Sequence, residues 1–369
     1  LNKVVVSVNL LHKRWFQALI VSILVFMLIY FISITSFIFA PVGAYLTAIA
    51  VPIIGAGALY YITKPLVNWL ERYKIHRVLA IFIVFLLIIG FIWLSINFIA
   101  PIVQQQFTRL TDNLPVMVEN GESLIDEWRN NQDIMPSQLD STIEEITNNL
   151  NTYAQNIISF LIDFLTQLFG FLFAFVLIPF FLFFMLKDGE KLVPFLSNFL
   201  SKNKATSFRR LMDGINHTLA SFIQGQFIVS VCVGIMLYIG YVIIGLPYSL
   251  TLALFGLVMN FIPFVGPFLS AIPAIIVGFF EDPMLAVWAI LVMVIAQQIE
   301  SNLISPNVMG RVLELHPLTI ITLILAAGSI AGFLGLLFII PAYAVVKTIV
   351  SHFYGEWKRK QPEDEQNII

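Results

Sequence analysis

Residues 250–280 form one apolar run, broken near its middle by Asn260-Phe261-Ile262-Pro263-Phe264-Val265-Gly266-Pro267. An unbroken helix of about 30 residues would extend about 45 Å, against a hydrocarbon core about 30 Å thick. Proline removes a backbone donor and clashes with the preceding turn. A freed backbone group in hydrocarbon costs several kcal/mol unless protein or a water-filled cavity satisfies it. The break is therefore either a packed kink or part of a site, and it constrains everything around it.

The rest of the chain says which solvent applies. Of 369 residues, 59% are hydrophobic and 11% charged, where soluble chains carry about a quarter. The fold class is an all-α polytopic membrane protein; the apolar runs are long and do not alternate, which excludes a β-barrel. A net charge of −2 gives no reason to expect nucleic acid as a partner. The single cysteine, Cys232, excludes a disulfide or a Cys-based metal site within one chain. The five histidines are scattered without ligand spacing. No Walker-type glycine loop, HExxH or nucleophile elbow is present, so no enzyme and no cofactor is expected; Na+ or H+ enters only as a coupling ion.

Residues 1–100 read as transmembrane helices 1–3. The run from Trp15 to Ala40 is too long for a signal peptide. The first span covers roughly 16–36, a tight turn is expected at Pro41 and Gly43, and the second span continues to about Ile62. Lys64, Arg72, Lys74 and Arg77 fill a short loop, which puts that loop and the N-terminus inside. The third span runs over about 78–100.

Residues 101–156 carry two basic against nine acidic side chains and read as an extracellular helical extension. Val103, Phe107, Leu110, Leu114 and Met117 form one apolar stripe at coiled-coil spacing; Ile143, Ile146, Leu150, Tyr153 and Ile157 form another. The two helices either pack on each other or form an oligomerisation collar. Residues 157–186 read as helix 4, with Asp163 a candidate pathway carboxylate near its outer end. Lys187-Asp188-Gly189-Glu190-Lys191 is an abrupt charged stop. Residues 187–216 form a cytoplasmic amphipathic segment, in which 192–200 read as a short helix in the inner headgroup layer.

Residues 217–350 read as a transport core (helix, hairpin, helix, hairpin), with 351–369 a cytoplasmic tail. Three apolar runs follow Gly245, and Lys347, Lys358, Arg359 and Lys360 place the end inside. Three crossings satisfy the parity. So does one crossing at 284–299 flanked by two re-entrant hairpins, whose halves would be ten to fifteen residues long. The second tip falls at Gly328-Ser329-Ile330-Ala331-Gly332-Phe333-Leu334-Gly335. Gly266 is followed by Pro273-Ala274, and Gly335 by Pro341-Ala342. That faint repeat fits an inverted-topology plan common among secondary transporters. The count is then about six full transmembrane helices plus two hairpins, or eight crossings.

Polar groups inside apolar runs mark the candidate pathway. They are Gln224 and Gln226, Asn260 with Pro263, Gly266 and Pro267, then Gln297, Gln298, Glu300, Asn302 and Arg311, and finally Gly332 and Gly335. Glu300 stands out because Gln297, Asn302 and Arg311 offer partners; a structural salt bridge to Arg311 is the plainer reading. The amides serve equally as interhelical glue.

Asn260-Phe261-Ile262-Pro263 with Gly266-Pro267, Gln298-Ile299-Glu300-Ser301-Asn302 with Pro306 and Met309-Gly310, His316-Pro317-Leu318, the Pro341 region and Leu186-Lys187-Asp188-Gly189 together resemble the autoinducer-2 exporter family of bacterial permeases. The resemblance covers nearly the whole chain. It implies a bacterial inner-membrane transporter with cytoplasmic termini, a small polar solute such as autoinducer-2, and a homopentamer. Members described as sodium–proton antiporters make a Na+(Li+)/H+ antiporter the alternative, with Glu300 or Asp163 titrating. A non-transporting oligomeric scaffold is the alternative of another class, and it leaves the intramembrane polar groups unexplained.

Overall fold

The computed structural model describes residues 14–110, 177–309 and 316–359, with five further positions between 112 and 159. Among them every regular element is helical. In chain order these are α1 (Arg14–Ile34), α2 (Ser36–Arg72), α3 (Arg77–Leu94), α4 (Leu177–Ser197), α5 (Lys202–Ile243), α6 (Ser249–Met259), α7 (Gly266–Glu281), α8 (Pro283–Ile299), α9 (Ser305–Met309) and α10 (Pro317–Arg359). Six described stretches are long and apolar enough to cross a membrane: Trp15–Ile34, Ala40–Arg72, Arg77–Leu110, Lys202–Ile243, Pro283–Met309 and Gly335–Lys358. Helices suit this environment because each bonds its own backbone polar groups within the segment.

Two apolar clusters organise the bundle. Ala56 and Val67 of α2, Ala80, Ile81 and Val84 of α3, and Ile178, Leu182 and Leu186 of α4 form one. The other joins α5, α6, α7 and α8 through Val229, Leu237, Ala253, Ala274, Val277 and Ala289. Small residues at these contacts let the helix backbones approach closely.

Several boundaries differ from expectation. The turn expected at Pro41 and Gly43 falls instead at Thr35, and Pro41, Pro52 and Pro65 all lie inside α2. The Thr35 hydroxyl donates to the Phe31 carbonyl at 2.7 Å, a back-bond that bends helices. Nor is residue stretch 192–200 a separate helix. α4 runs unbroken through the charged 187–191 segment to Ser197, with Lys191 paired to Asp188 at 2.7 Å. α3 continues past a π-helical turn (Ser95–Ile99) to Leu110. There Leu110 is buried in the α5–α8 cluster, and Gln106 accepts hydrogen bonds from the backbone N–H and hydroxyl of Thr251. This part of the first stripe docks on the start of α6. The second stripe and Asp163 lie outside the described residues.

Candidate functional site: two helical hairpins on one long helix

α6 and α7 form the first hairpin. With 11 and 16 residues they extend about 16 and 24 Å, and neither spans about 30 Å of hydrocarbon. The tip is a series of tight backbone turns. Ile262 N–H donates to the Met259 carbonyl, Val265 N–H to Pro263 and Gly266 N–H to Ile262, at 2.8–2.9 Å. Phe264, at the apex, has φ +66°, a left-handed conformation uncommon for a bulky side chain. Gly266 opens the outgoing arm against the end of the incoming one: a Cβ there would lie 2.0 Å from the Met259 carbonyl oxygen.

The second hairpin lies within α10. Ala331 and Gly332 leave helical geometry, and Gly332 has φ +55°. A Cβ on Gly335 would lie 2.2 Å from the Ala327 carbonyl oxygen, although residues eight apart in a straight helix are separated by about 12 Å. The chain therefore folds back. Ile320 and Ile324 of the incoming arm share a cluster with Leu336, Ile339 and Ile340 of the outgoing arm. The two glycines of the sequence repeat thus do the same job, each seating the first residue of the outgoing arm on a carbonyl of the incoming one. Pro273 and Pro341 follow inside those arms. The outgoing arm is longer than expected, Gly335–Lys358 at 24 residues. In its lower half Lys347, Thr348, Ser351 and His352 lie on one side, facing α5.

α5 carries both hairpins. Three consecutive residues on it dock three different elements. Gln224 donates to the Tyr61 carbonyl at 2.8 Å, the carbonyl that Pro65, four residues on, leaves without an intrahelical donor. A Cβ on Gly225 would lie 2.5 Å from Met309 Cγ, so α9 sits where a side chain would otherwise be. Gln226 donates to the Asn260 carbonyl at 2.6 Å, and the Asn260 amide reaches the Ser230 hydroxyl at 3.5 Å. Asn260, Gln226 and Ser230 are 2%, 6% and 0% exposed. Asn260 is thus committed to the tip's own anchorage. Val265 joins the cluster of Phe222, Ile324 and Ile340, so the first tip shares an apolar cluster with the second hairpin.

The other expected residues separate into two groups. Gln297 donates to Glu300 at 2.7 Å, while Gln297 Oε1 is buried without a hydrogen-bond partner among the described residues. Glu300 opens a π-helical turn (Glu300–Ile304), a feature frequent at functional sites. Gln298 and Asn302 bond each other at 2.9 Å on an exposed face. Pro263 and Pro267 lie at the first tip, Gly332 and Gly335 at the second. Arg311 lies outside the described residues. Among the described residues no group of three His, Cys, Asp or Glu gathers to hold a metal.

Sequence reasoning passes over Ser230, Gly225 and a charged clamp at one end of the bundle. There Glu190 of α4 pairs with Arg77 at 3.0 Å and Lys64 at 3.2 Å, and Arg77 also donates to the Leu186 carbonyl. Its hydrogen bond from Arg77, then that from Lys64, holds the Glu190 carboxyl below its ordinary range. Pro65 is the available signal for Gln224, since a helix-interior proline always orphans the carbonyl four residues before it.

Long apolar helices with two hairpins held on a central helix, three of their four arms too short to cross, define a polytopic membrane protein of the transporter type. Residues 18–355 match the model of the AI-2E family transporters, and the chain belongs to that family. It is 38% identical over 88% of its length to "Putative transport protein YueF" of Bacillus subtilis, covering 90% of that protein. It is 29% identical over 90% of its length to "Putative transport protein YrrI" of the same organism, covering 94% of it. A "Sodium-lithium/proton antiporter" of Halobacillus andaensis is 24% identical over 81% of this chain and 88% of its own.

Proposed function

We propose that the chain is a permease that exports a small polar solute such as autoinducer-2, coupled to an ion, in a bacterial inner membrane with both termini cytoplasmic. The observation that carries this reading is the pair of hairpins seated on α5, with the first tip anchored by the Gln226–Asn260 bond. Helices of 11, 16 and about 15 residues are too short to cross, and in a transporter such halves meet near the midplane, where their ends present dipoles to a solute. Anchorage by single hydrogen bonds suits an element that must release and re-dock. The homo-oligomer, a pentamer, rests on the family resemblance alone.

The test is flux into proteoliposomes of purified protein, with autoinducer-2 and Na+ measured in parallel. Solute flux that is lost with Gln226→Leu supports the reading. No flux of solute or cation in wild type overturns it and leaves the scaffold.

A second reading, Na+(Li+)/H+ antiport, is favoured by one observation: Glu300 is held by Gln297, whose buried amide oxygen has no partner among the described residues. In this reading Glu300 exchanges a proton for the cation. Glu300→Gln then abolishes Na+/H+ exchange; unchanged exchange removes the carboxylate from the mechanism.

A further inference from the structure

The first turn of α6 is completed by another helix. Its cap residue, Tyr248, sits at φ +58° and makes no side-chain capping bond among the described residues. The acceptor comes instead from the continuation of α3, about 40 Å along that helix from Arg77. There Gln106 Oε1 takes the Thr251 N–H at 3.1 Å and the Thr251 hydroxyl at 2.6 Å. The Thr251 amide is one of the early N–H groups that a helix leaves without an internal partner, so Gln106 does from α3 what a capping side chain does locally. Gln106, Leu110 and Asn113 step by four and three, the spacing of one helical face. Leu110 is buried in the cluster that holds Leu246 and Leu252, and the Asn113 amide donates to the Tyr248 hydroxyl at 3.2 Å. Between its ends α6 presses closely on α5. A Cβ on Gly234 would lie 2.8 Å from Leu257 Cβ, and one on Gly256 would lie 2.6 Å from Leu237 Cδ1. Thr251 lies about 8 Å along the axis on one side of that contact, and Asn260 about 5 Å on the other.

We propose that α6 is a rocker pivoted at Gly256 and Leu257, and that Gln106, Leu110 and Asn113 are positioning residues that set the docking of the first tip from the opposite end of the helix. A stiff helix turning about that contact moves its two ends in opposite senses, in the ratio of the two arms. A shift of about 2 Å at Thr251 moves Asn260 by a little over 1 Å. Along the Gln226–Asn260 bond, 2.6 Å at rest, that displacement exceeds what an amide hydrogen bond tolerates. The chain continues from Asn113 into the acidic segment, so a displacement of that segment reaches the first tip through these three residues. The consequence, release of the tip for solute, rests on the transporter reading; the rocker itself concerns only where the hairpin sits.

The experiment uses the full chain in nanodiscs and reads tip position rather than flux, so its failure is separate from a failure to transport. In a Cys232→Ala background, Ile262→Cys lies at a position 1% exposed and reacts with a membrane-permeable maleimide only when the tip undocks. Hydrogen exchange reports on the amides at 249–252 in the same samples. Gln106→Leu removes the acceptor and keeps the bulk. Gln106→Glu keeps an acceptor and adds a negative charge at the N-terminal end of α6, where the helix dipole favours it. Gln105→Leu, exposed beside it, is the control. Loss of the cap raises labelling about fivefold in Gln106→Leu, while Gln106→Glu labels at or below the unsubstituted rate and Gln105→Leu is unchanged. Tyr248→Phe keeps the ring and drops only the bond from Asn113; it raises labelling by a smaller factor and carries the comparison where Gln106→Leu does not fold. Faster exchange at 249–252 with unchanged labelling at position 262 overturns the proposal, because Gln106 is then a local cap only. Unchanged labelling in both Gln106→Leu and Tyr248→Phe overturns it as well, as does equal acceleration by Gln106→Leu and Gln106→Glu.

Discussion

Gln226→Leu tests the anchorage of the first tip directly. Leucine keeps the side-chain bulk but removes the donor to the Asn260 carbonyl, which is 2.6 Å away with both residues buried. Leaving a buried acceptor unsatisfied costs about 1–3 kcal/mol, whereas interhelical hydrogen bonds in membranes average about 0.6 and reach about 1.7. The bond here is short and fully buried, and no second donor among the described residues reaches that carbonyl, so the upper part of the membrane range applies. About 1–1.7 kcal/mol shifts the docked-to-undocked ratio roughly 5- to 20-fold. Ile262, 1% exposed inside the tip, is the reporter. In a Cys232→Ala background, Ile262→Cys reacts with a membrane-permeable maleimide only when the tip undocks. Under conditions where opening is fast, the labelling rate follows the open population and rises by the same factor once Gln226→Leu is added to that background. An unchanged rate would refute the reasoning, because it would mean the tip is held by its apolar contacts alone.

Three further outcomes follow from the same geometry. Gly225→Ala drives a methyl into Met309 and lowers thermal stability in detergent by about 1–3 kcal/mol, the usual range for overpacking; Met309→Ala in the same chain restores part of it. Gly266→Ala and Gly335→Ala each meet a backbone carbonyl rather than a movable side chain, so no second-site truncation rescues them, and both lose folded protein by size-exclusion chromatography; a well-folded Gly335→Ala sinks the equivalence of the two tips. Glu190 has a folded pKa lowered from the ordinary 4.5, chiefly by Arg77. Its clamp therefore stabilises fully above about that pH and is lost as pH falls through the lowered value; the unfolding midpoint of Glu190→Gln should lie below wild type at pH 7 and converge with it in acid. Equal midpoints at pH 7 assign the exposed pair no net contribution, as many surface pairs show.

Much of this architecture was legible because hydrocarbon leaves the backbone few options. The membrane class and the break at residues 260–267 follow from run length and from proline chemistry alone. What misled was the assumption that proline and charge always end a helix. Pro41 stays inside α2 because every other backbone group there still gains more by bonding within the helix, and the charges at 187–191 stay helical because Lys64 and Arg77 neutralise Glu190 from two neighbouring segments. Neither compensation is visible along the chain. The candidate residues were found by polarity, which located Gln226, Asn260 and Glu300 and, for Glu300, the neighbouring partner Gln297, but not the pairing of Gln226 with Asn260. Asn260 is satisfied by a glutamine 34 positions earlier, a pairing that only tertiary contact reveals.

The glycine equivalence bears on how the two hairpins work together. Each tip depends on one steric requirement, a residue without Cβ opposite a carbonyl, and each outgoing arm then carries a proline that loosens its own ladder. The tips are not anchored alike, however. The first has a buried hydrogen bond to α5 and Val265 in the shared cluster, whereas at the second tip the described backbone simply reverses at Gly332, with Ile330 exposed beside it. With fewer buried contacts among the described residues, the second tip should open at lower free energy. Its opening strips Ile324 and Leu336 from the cluster that also holds Val265, which weakens the apolar half of the first tip's anchorage and leaves the Gln226 bond as the remaining hold. The two hairpins are thus coupled through one apolar cluster. Hydrogen exchange followed by mass spectrometry orders them: amides at 328–335 exchange faster than those at 260–266, and Ile324→Ala accelerates exchange at both. Acceleration confined to the second hairpin would break the coupling argument while leaving the separate anchorage of the first tip intact.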